Sequence, residues 1–368
     1  MKPFHRFPAL LATLALVLSA CGGSSTPDPE PTPTATLTSQ VTDHTTEVLQ
    51  ALKSAGVEVK WVQVGNETRD GMLWDLGKIL WDNGARVPSS VKNYVQLSNA
   101  GYDAVKKVFP SAKVIVHLNN AFDSENVGWF SDFKGNGGKF DIIGLSHYPM
   151  SEDNWETCNT SALSQIKALI NHFNCDVMVC EVGVKKAQLE TAKSCLESFM
   201  SSARAISRCA GVFYWEPEVD GTWKPAIYKK IPSSWGGGSW NAYDMGAFDS
   251  DFRPTAILDP FETAREGWAS GADVSWCTEM EKDGKKFKDA SGNVKDLFQI
   301  LKGCGMTAVR LRVWVDPQDG WCAKDDVVAK AKRAKDAGLD VMIDFHYSDF
   351  FADPSRQVLP AAWKNLSL

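Results

Sequence analysis

The chain has 368 residues, of which 44% are hydrophobic and 23% are charged, so it can bury one large core or two ordinary ones. A formal net charge of -6 without a basic cluster argues against a nucleic-acid partner, because nucleic-acid binding needs a basic face. The 14 tryptophans are a high number for this length. Their flat amphipathic rings suit stacking on sugar faces, although a large core also accounts for some of them.

The first 20 residues read as a secretory signal peptide. They combine a basic start at Lys2 and Arg6, an apolar segment over residues 9–18 and small residues before Cys21. The segment is too short to be a membrane span. Leu-Ser-Ala-Cys at residues 18–21 also resembles the bacterial lipobox, which implies cleavage before Cys21 and a lipid on its thiol. The alternative is an ordinary secretory signal.

Residues 21–40 follow as a lipidated cysteine and a Pro- and Thr-rich linker, a composition typical of an extended tether. We expect residues 41–368 to form a single domain. The predicted localisation is therefore exported and lipid-anchored at the bacterial cell envelope or surface, with the membrane as a partner through the N-terminal lipid.

From residue 41 onward, short apolar runs rich in β-branched residues alternate with segments of helical periodicity. Such runs, bounded by turn residues, are typical of buried strands. Helices are predicted at 41–55, 91–109, 161–173 and 189–207. Strands are predicted at 59–65, 113–119, 140–148, 177–183, 211–216, 272–276, 308–314 and 341–347. Eight strands separated by helices predict an α/β fold, a (β/α)8 TIM barrel.

Two of these strands run directly into a glutamate, Glu67 and Glu181. A carboxylate at the carboxyl end of a barrel strand lies where such barrels build their active sites. We interpret the two glutamates as one acid and nucleophile pair. Other polar or aromatic residues follow the same pattern, which predicts one shared rim: Asn66, Asn119, His147, Tyr148, Trp215, Glu216, Trp276, Arg310, Trp314, His346 and Asp349.

Six motifs together resemble family 53 of the glycoside hydrolases, the endo-β-1,4-galactanases. They are residues 62–67, 214–217, 271–276, 310–314, 344–349 and 360–363. The resemblance covers nearly all of residues 41–368. It implies a barrel of the retaining clan with the acid/base after the fourth strand and the nucleophile after the seventh. Carried over to this chain, those residues are Glu67 and Glu181.

The order of the motifs departs from the family. Residues 41–261 correspond to the family's C-terminal part, and residues 271–368 correspond to its N-terminal part. We therefore expect a TIM barrel with permuted strand order, since each strand occurs once and permutation is tolerated where chain ends lie close together. The alternative is a truncated tandem or an assembly artefact, in which residues 271–368 begin a second copy.

The expected chemistry needs one carboxyl that holds its proton near neutral pH and one that stays ionised. Retention of configuration requires the two groups to lie about 5 to 5.5 Å apart. Asn66 resembles the clan residue that binds the sugar 2-OH. Arg310 is expected to keep the nucleophile ionised and Tyr148 to donate to it, with a structural ion pair and core packing as the respective alternatives.

Trp276, Trp314, Trp215 and Trp363 are the predicted sugar platforms, with His346 and Asp349 as hydrogen-bonding partners. Core packing is the alternative for each tryptophan. We expect His117 to be buried and satisfied rather than catalytic. Glu216 is interpreted as a binding or structural carboxylate.

No cofactor and no metal site are predicted, because the chain lacks CxxC and paired-histidine spacing and residues 182–192 are poor in acids. For the eight cysteines beyond Cys21, disulfides and free thiols both remain open. The sequence predicts a monomeric retaining endo-β-1,4-galactanase acting on pectic galactan or arabinogalactan. The alternatives are a non-catalytic glycan-binding lipoprotein and a retaining β-glycanase of the same clan with another substrate.

Overall fold

The computed structural model describes residues 35–151, 154–227, 242–263 and 265–368. The predicted signal peptide, Cys21 and most of the predicted linker therefore lie outside the described residues. Among the residues described, none of the helices is both long and apolar enough to cross a bilayer.

The apolar runs form eight parallel strands that close into one barrel, which confirms the predicted (β/α)8 fold. The ring order is β1, β10, β9, β8, β7, β6, β5 and β4, so each strand pairs with its neighbours in the chain and β1 also pairs with β10. A short antiparallel hairpin of β2 and β3 lies outside the barrel. The strands are β1 Val59–Val64, β2 Trp81–Asp82, β3 Ala85–Arg86, β4 Lys113–Leu118, β5 Ile142–His147, β6 Asp176–Val182, β7 Cys209–Trp215, β8 Ala269–Asp273, β9 Ala308–Val313 and β10 Asp340–Phe345.

Helices surround the barrel and cover the outer faces of the strands. They are α1 Leu37–Ser54, α2 Pro88–Val108, α3 Asn126–Gly135, α4 Trp155–Phe173, α5 Leu189–Arg204, α6 Cys277–Lys282, α7 Leu297–Gly303 and α8 Lys324–Asp336. After β7 the segment that packs against α5 is the 3-10 helix Ala256–Glu262. Buried apolar side chains fill the layer between strands and helices, as expected for a parallel sheet covered by helices.

The helix α1 begins at Leu37 rather than at residue 41, which corrects the predicted end of the linker. The Ser39 backbone N–H donates to Thr36 Oγ1 at 3.1 Å, and the Thr36 N–H donates to Ser39 Oγ at 3.0 Å. This reciprocal cap satisfies two backbone donors that a helix start leaves free. The prediction missed it because a capping box usually carries Glu or Gln at the position that Ser39 occupies.

The helix α1 packs against β10 and the segment that follows it. The Leu37 N–H donates to the Ser367 carbonyl oxygen at 2.7 Å, and the hydroxyls of Thr45 and Tyr347 lie 2.8 Å apart. The His44 ring contacts the Phe345 ring with its centroid at 5.7 Å. The first described helix and the last described residues are therefore neighbours in the folded chain.

The barrel interior has an apolar floor and a polar layer above it. Trp61, Met178, Phe213 and Met342 belong to the floor, a separate buried cluster inside the ring. Closer to the carboxyl ends of the strands, the interior becomes charged, and those side chains form the candidate site described below. The eight cysteines of the described ranges are linked by no disulfide.

Candidate active site

The chain turns sharply where β1 ends, and this turn carries Glu67. Gly65 has a φ of 82° and Glu67 a φ of 48°, so two residues in this short segment lie in the left-handed region. A Cβ added at Gly65 would lie 2.6 Å from Thr68 Cγ2, so the turn has no room for another residue type there. A left-handed backbone at a non-glycine residue is strained and is common at functional sites.

Glu181 owes its position to an irregularity in β6. Leu145 pairs with Val179 while Ser146 pairs with Glu181, so the register skips Cys180. Successive residues of a regular strand face opposite sides, yet Cys180 belongs to the cluster inside the barrel and Glu181 also contacts groups there. The bulge re-aims Glu181 toward the mouth of the barrel, which is a recurring use of bulges next to active sites.

Glu67 and Glu181 line the same open cleft at the mouth, with a volume of about 310 Å³. The cleft is lined by Asn66, Glu67, Asn120, Tyr148, Glu181, Trp215, Met245, His346, Phe351, Ala352 and Asp353. Both predicted carboxylates, which are far apart in the chain, are therefore brought together over the barrel axis.

Each oxygen of the Glu181 carboxylate accepts a hydrogen bond. Arg310 Nη2 donates to Oε1 at 2.8 Å, and the Tyr148 hydroxyl donates to Oε2 at 2.7 Å. Burial raises the pKa of Glu181 above its ordinary value, while the Arg310 charge and the Tyr148 hydroxyl oppose that rise. Arg310 acts in the predicted direction, but burial outweighs it in the net shift.

Arg310 is itself buried, with 1% of its surface exposed, and it is surrounded by carboxylates. Its Nη1 lies 2.8 Å from Asp273 Oδ2, and its Nη2 lies 2.8 Å from Asp344 Oδ2. Burial disfavours the charged forms of Arg310 and of its partner carboxylates. The carboxylates nevertheless raise the pKa of Arg310, and Arg310 together with His346 lowers the pKa of Asp344 to about 2. Arg310 is therefore both a structural ion-pair centre and a partner of Glu181.

Glu67 has a different environment from Glu181. The residue is half-buried and lines the cleft. Desolvation by the surrounding protein and the charge of Glu181 raise the pKa of Glu67 to about 8, against a hydrogen bond to Ser146 that lowers it. Such a carboxyl keeps its proton near neutral pH. It can therefore donate that proton to a substrate oxygen bound between it and the second carboxyl, which accepts hydrogen bonds from an arginine and a tyrosine.

Asn66 is nearly buried between Glu67 and the polar layer. Its Oδ1 accepts from Arg310 Nη2 at 2.8 Å, and its Nδ2 donates to the Ala352 carbonyl oxygen at 2.8 Å. The second Nδ2 hydrogen takes part in neither of these two contacts, and Asn66 lines the cleft.

Two other predicted binding residues also line the cleft. The Trp215 ring is half-buried and lies edge-on to Tyr148, with 6.4 Å between ring centroids. His346 has both ring nitrogens engaged: Nε2 lies 2.8 Å from Asp344 Oδ2, and Nδ1 accepts from the Ala352 N–H at 2.9 Å.

The other predicted binding residues lie elsewhere, and these predictions are corrected. Trp276, Trp314 and Trp363 are only 0%, 1% and 3% exposed, so none offers a free ring face on which a sugar could stack. The Asp349 carboxylate accepts from the backbone N–H groups of Asp316 and Ala361 and does not line the cleft.

The buried tryptophans form a layer behind the cleft wall. Trp276 and Trp314 lie 4.6 and 5.0 Å from the Arg312 guanidinium, and both contact the Phe351 ring that lines the cleft. Arg312 in turn lies 3.0 Å from Glu216 Oε1, which supports the structural interpretation of Glu216.

Sequence reasoning missed two kinds of site residue. Loop residues such as Asn120, Phe351 and Asp353 line the cleft but carry no motif of their own. Asp273 and Asp344 lie inside apolar strand runs, and an acid within a buried strand is a signal that could have revealed the charged layer around Arg310. Within the described ranges, no cluster of His, Cys, Asp and Glu side chains is arranged to hold a metal ion.

A closed parallel barrel with two carboxyl groups and a buried arginine at its mouth defines a (β/α)8 protein with a polar cleft at the carboxyl ends of its strands. The sequence model of the family described as glycosyl hydrolase family 53 matches residues 30–261 and 269–368. Since this is well over half of the chain, the protein belongs to glycosyl hydrolase family 53.

Individual relatives match over shorter stretches. An arabinogalactan endo-beta-1,4-galactanase from Thermothelomyces thermophilus is 50% identical over 93 residues, which is 25% of this chain and 28% of the relative. An endo-beta-1,4-galactanase from Bacillus subtilis (strain 168) is 41% identical over 114 residues, 29% of this chain and 27% of the relative. The aligned stretch thus spans about a quarter of the length of these curated relatives. A solved GH53 catalytic domain from Ignisphaera aggregans has a TM-score of 0.48 and 17% identity, covering 60% of this chain and 63% of that one.

Proposed function

We propose that this protein is a retaining endo-β-1,4-galactanase that hydrolyses β-1,4-galactosidic bonds of galactan or arabinogalactan. The observation that carries the proposal is the shared cleft of Glu67 and Glu181, in which the two carboxyls have unlike partners. Glu67 has a raised pKa and Glu181 is held by Arg310 and Tyr148. Family membership and the galactanase names of two relatives favour galactan as the substrate.

In the first step, Glu67 donates its proton to the glycosidic oxygen while a Glu181 oxygen attacks the anomeric carbon. The bond between that carbon and the leaving oxygen breaks, and a covalent glycosyl-enzyme forms. Arg310 and Tyr148 donate to the Glu181 carboxylate, which opposes the effect of burial on its pKa and orients it for attack. In the second step, ionised Glu67 takes a proton from water, whose oxygen displaces Glu181 and leaves the sugar with its original configuration.

The substrate contacts follow from the cleft. Trp215 supplies a partly exposed ring on which a galactose face can stack. Asn66 lies next to the acid and supplies the remaining Nδ2 hydrogen to a sugar hydroxyl, the 2-OH in our proposal. His346 contributes to the wall and positions the loop that carries Ala352.

Product analysis tests the substrate assignment. The purified protein should release short oligosaccharides from β-1,4-galactan and none from xylan, mannan or cellulose. Release from another β-glycan in place of galactan would assign the protein to a different substrate. Binding of galactan by folded protein with no release would instead favour a glycan-capture role.

We also propose that this family member is circularly permuted and forms one barrel. The closed ring, the pairing of β1 with β10 and the 2.7 Å hydrogen bond from Leu37 to Ser367 support a single domain over a broken second copy. A gene reordered so that residues 264–368 precede residues 35–263, with Leu368 joined to residue 35, should give a folded protein of equal activity. Failure of that protein to fold would contradict the proposal.

Export and lipid anchoring remain proposals based on the N-terminal sequence alone. We propose that residues 1–20 are removed and that Cys21 carries the lipid, which holds a monomeric enzyme at the cell envelope. Wild-type protein expressed in a bacterium should incorporate labelled fatty acid and partition with membranes. A Cys21→Ala variant should lose both properties, and equal labelling of the variant would contradict the assignment.

A further inference from the structure

A chain of buried polar side chains connects the arginine that holds Glu181 to the carboxyl of Glu67. Arg310 Nε lies 3.2 Å from Gln63 Oε1, and Gln63 Nε2 lies 2.8 Å from His117 Nδ1. His117 Nε2 then lies 2.9 Å from Ser146 Oγ, and hydrogen bonding by the Ser146 side chain lowers the pKa of Glu67. The residues between the two ends, Gln63, His117 and Ser146, are at most 1% exposed.

The first hydrogen bond sets the direction of donation along the whole series of side chains. A guanidinium can only donate, so the atom of Gln63 that faces Arg310 Nε is its carbonyl oxygen. The NH2 group of Gln63 therefore faces His117 and donates to Nδ1. The backbone N–H of Glu67 points at the same Nδ1 from 3.3 Å. One acceptor, Asn66 Oδ1, also lies 3.0 Å from Nδ1, but it already accepts from Arg310 and Gln63. Since two donors point at Nδ1, we assign it no proton.

The remaining links follow from the state of the histidine. Burial, with the nearby charge of Arg310, lowers the pKa of His117 well below its ordinary value, so the ring is neutral. Its single proton is on Nε2, which donates to Ser146 Oγ. The Ser146 hydroxyl hydrogen is then free to be donated to Glu67, the remaining partner of that side chain.

We propose that Gln63, His117 and Ser146 form a directed hydrogen-bond relay that orients the Glu67 carboxyl and stabilises its ionised form. They are positioning residues, since they act through Glu67 and do not contact the substrate. The relay also ties the two carboxyls together, because Arg310 donates both to Glu181 and to the first member of the chain. The proposal rests on the acid/base role assigned above to Glu67.

Charged groups outside the relay also act on the Glu67 carboxyl. Glu181 from β6 and Asp353 from the loop after β10 raise the pKa of Glu67, and Arg310 from β9 lowers it. Two further side chains are near enough to interact with its charge, Arg69 and Tyr148. Of the relay members, only Ser146 bonds directly to the carboxyl, so its removal isolates the contribution of the relay.

The tautomer of His117 tests the direction without any substrate. In protein labelled with 15N-histidine, a His117→Gln variant assigns the ring signals of His117. We expect one proton, on Nε2, and a bare Nδ1 across the neutral pH range. A proton on Nδ1, or an imidazolium at pH 7, would reverse the donor order and overturn the proposal.

Matched variants at Ser146 test the effect on Glu67. In Ser146→Ala the ionised form of Glu67 loses a donor, so the basic limb of the kcat/KM profile should move up by about one pH unit. The acidic limb should stay in place. Ser146→Thr keeps the hydroxyl and should retain the wild-type basic limb. An unmoved limb in the alanine variant, or an equal movement in both variants, would contradict the relay.

A third variant reverses the direction of hydrogen-bond donation along the relay while keeping the size of the side chain at residue 63. In Gln63→Glu the residue still accepts from Arg310 but can no longer donate to His117, so the proton moves to Nδ1 and Ser146 donates to Nε2 instead. This variant should shift the basic limb as Ser146→Ala does, and unchanged pH dependence in folded protein would count against the relay. Inactivity of the wild-type protein on every glycan would overturn the proposed function, while the histidine spectrum would still decide the relay.

Discussion

Arg310 Nη2 lies 2.8 Å from Glu181 Oε1 and also 2.8 Å from Asp344 Oδ2, so one nitrogen serves both the proposed nucleophile and a carboxylate of the barrel interior. Its other terminal nitrogen pairs with Asp273. Three carboxylates therefore share one buried cation. This sharing explains why Arg310 opposes the rise in the pKa of Glu181 without cancelling it.

Replacement of this arginine should affect folding and activity together. In Arg310→Lys a single ammonium cannot reproduce the contacts to Gln63, Asp273 and Glu181, because lysine lacks the planar fork. We expect a loss of about 3 to 5 kcal/mol in the free energy of unfolding from the carboxylates left buried, and a large fall in kcat. Denaturant unfolding and steady-state kinetics measure the two effects. Arg333→Lys, at a partly exposed ion pair with Glu281, is a matched control that should leave kcat unchanged.

The Tyr148 hydroxyl should set the acidic limb of the pH profile. Tyr148→Phe removes a 2.7 Å hydrogen bond to the Glu181 carboxylate, which raises the pKa of Glu181 further. The acidic limb of kcat/KM should therefore move up by about one pH unit, with the basic limb unchanged. Tyr347→Phe loses a buried hydroxyl contact to Thr45, and because Tyr347 does not line the cleft this variant serves as the control. A shift of the basic limb alone would mean that Tyr148 acts on Glu67 instead.

The basic limb should report Glu67. Its pKa is raised to about 8, so the proton needed by the leaving oxygen is present below that pH and is lost above it. The charge of Asp353 contributes to this rise. Asp353→Asn should therefore move the basic limb downward, opposite to the effect expected for Ser146→Ala. The measurement is kcat/KM against pH on galactan, and an upward movement in the asparagine variant would contradict the assignment of this limb to Glu67.

Trp215 and Trp276 should respond differently to truncation. Trp215→Ala removes a partly exposed ring from the cleft, so KM for galactan should rise while the melting temperature changes little. Trp276→Ala leaves a cavity behind the cleft wall, because that ring is 0% exposed, and should cost about 3 to 5 kcal/mol of stability. Thermal unfolding beside kinetics separates the two. An unaltered KM in Trp215→Ala would remove it as a sugar platform.

Glu218 should make stability depend on pH. It is 0% exposed, its carboxylate oxygens make no hydrogen bond to another described residue, and burial raises its pKa well above the ordinary value. A group whose folded pKa is raised favours folding below the unfolded pKa and loses that contribution as pH rises toward the folded value. Glu218→Gln should therefore be more stable than wild type at pH 8, by on the order of 1 kcal/mol or more, and gain less at pH 5. Urea unfolding at both pH values checks the sign.

The barrel was predictable because its strands are buried on both faces and read as continuous apolar runs. The position of Glu67 was predictable for the same reason, since the run stops at that residue. The inward direction of the Glu181 side chain was not predictable, because a continuous apolar run gives no sign of the bulge that turns both Cys180 and Glu181 into the barrel. The burial of Trp276 was equally hidden. It depends on Phe351 and Arg312, which are distant in the chain and pack against the Trp276 ring.

Azide rescue tests the assignment of Glu67 and Glu181 most directly. With an activated aryl β-galactoside of suitable chain length, Glu181→Ala should lose turnover and regain it in azide as the α-galactosyl azide, because azide attacks the face that Glu181 has left open. Glu67→Ala should give the β-galactosyl azide, since the covalent intermediate still forms on Glu181. The α product from Glu67→Ala, with none from Glu181→Ala, would contradict the roles proposed for the two carboxyls.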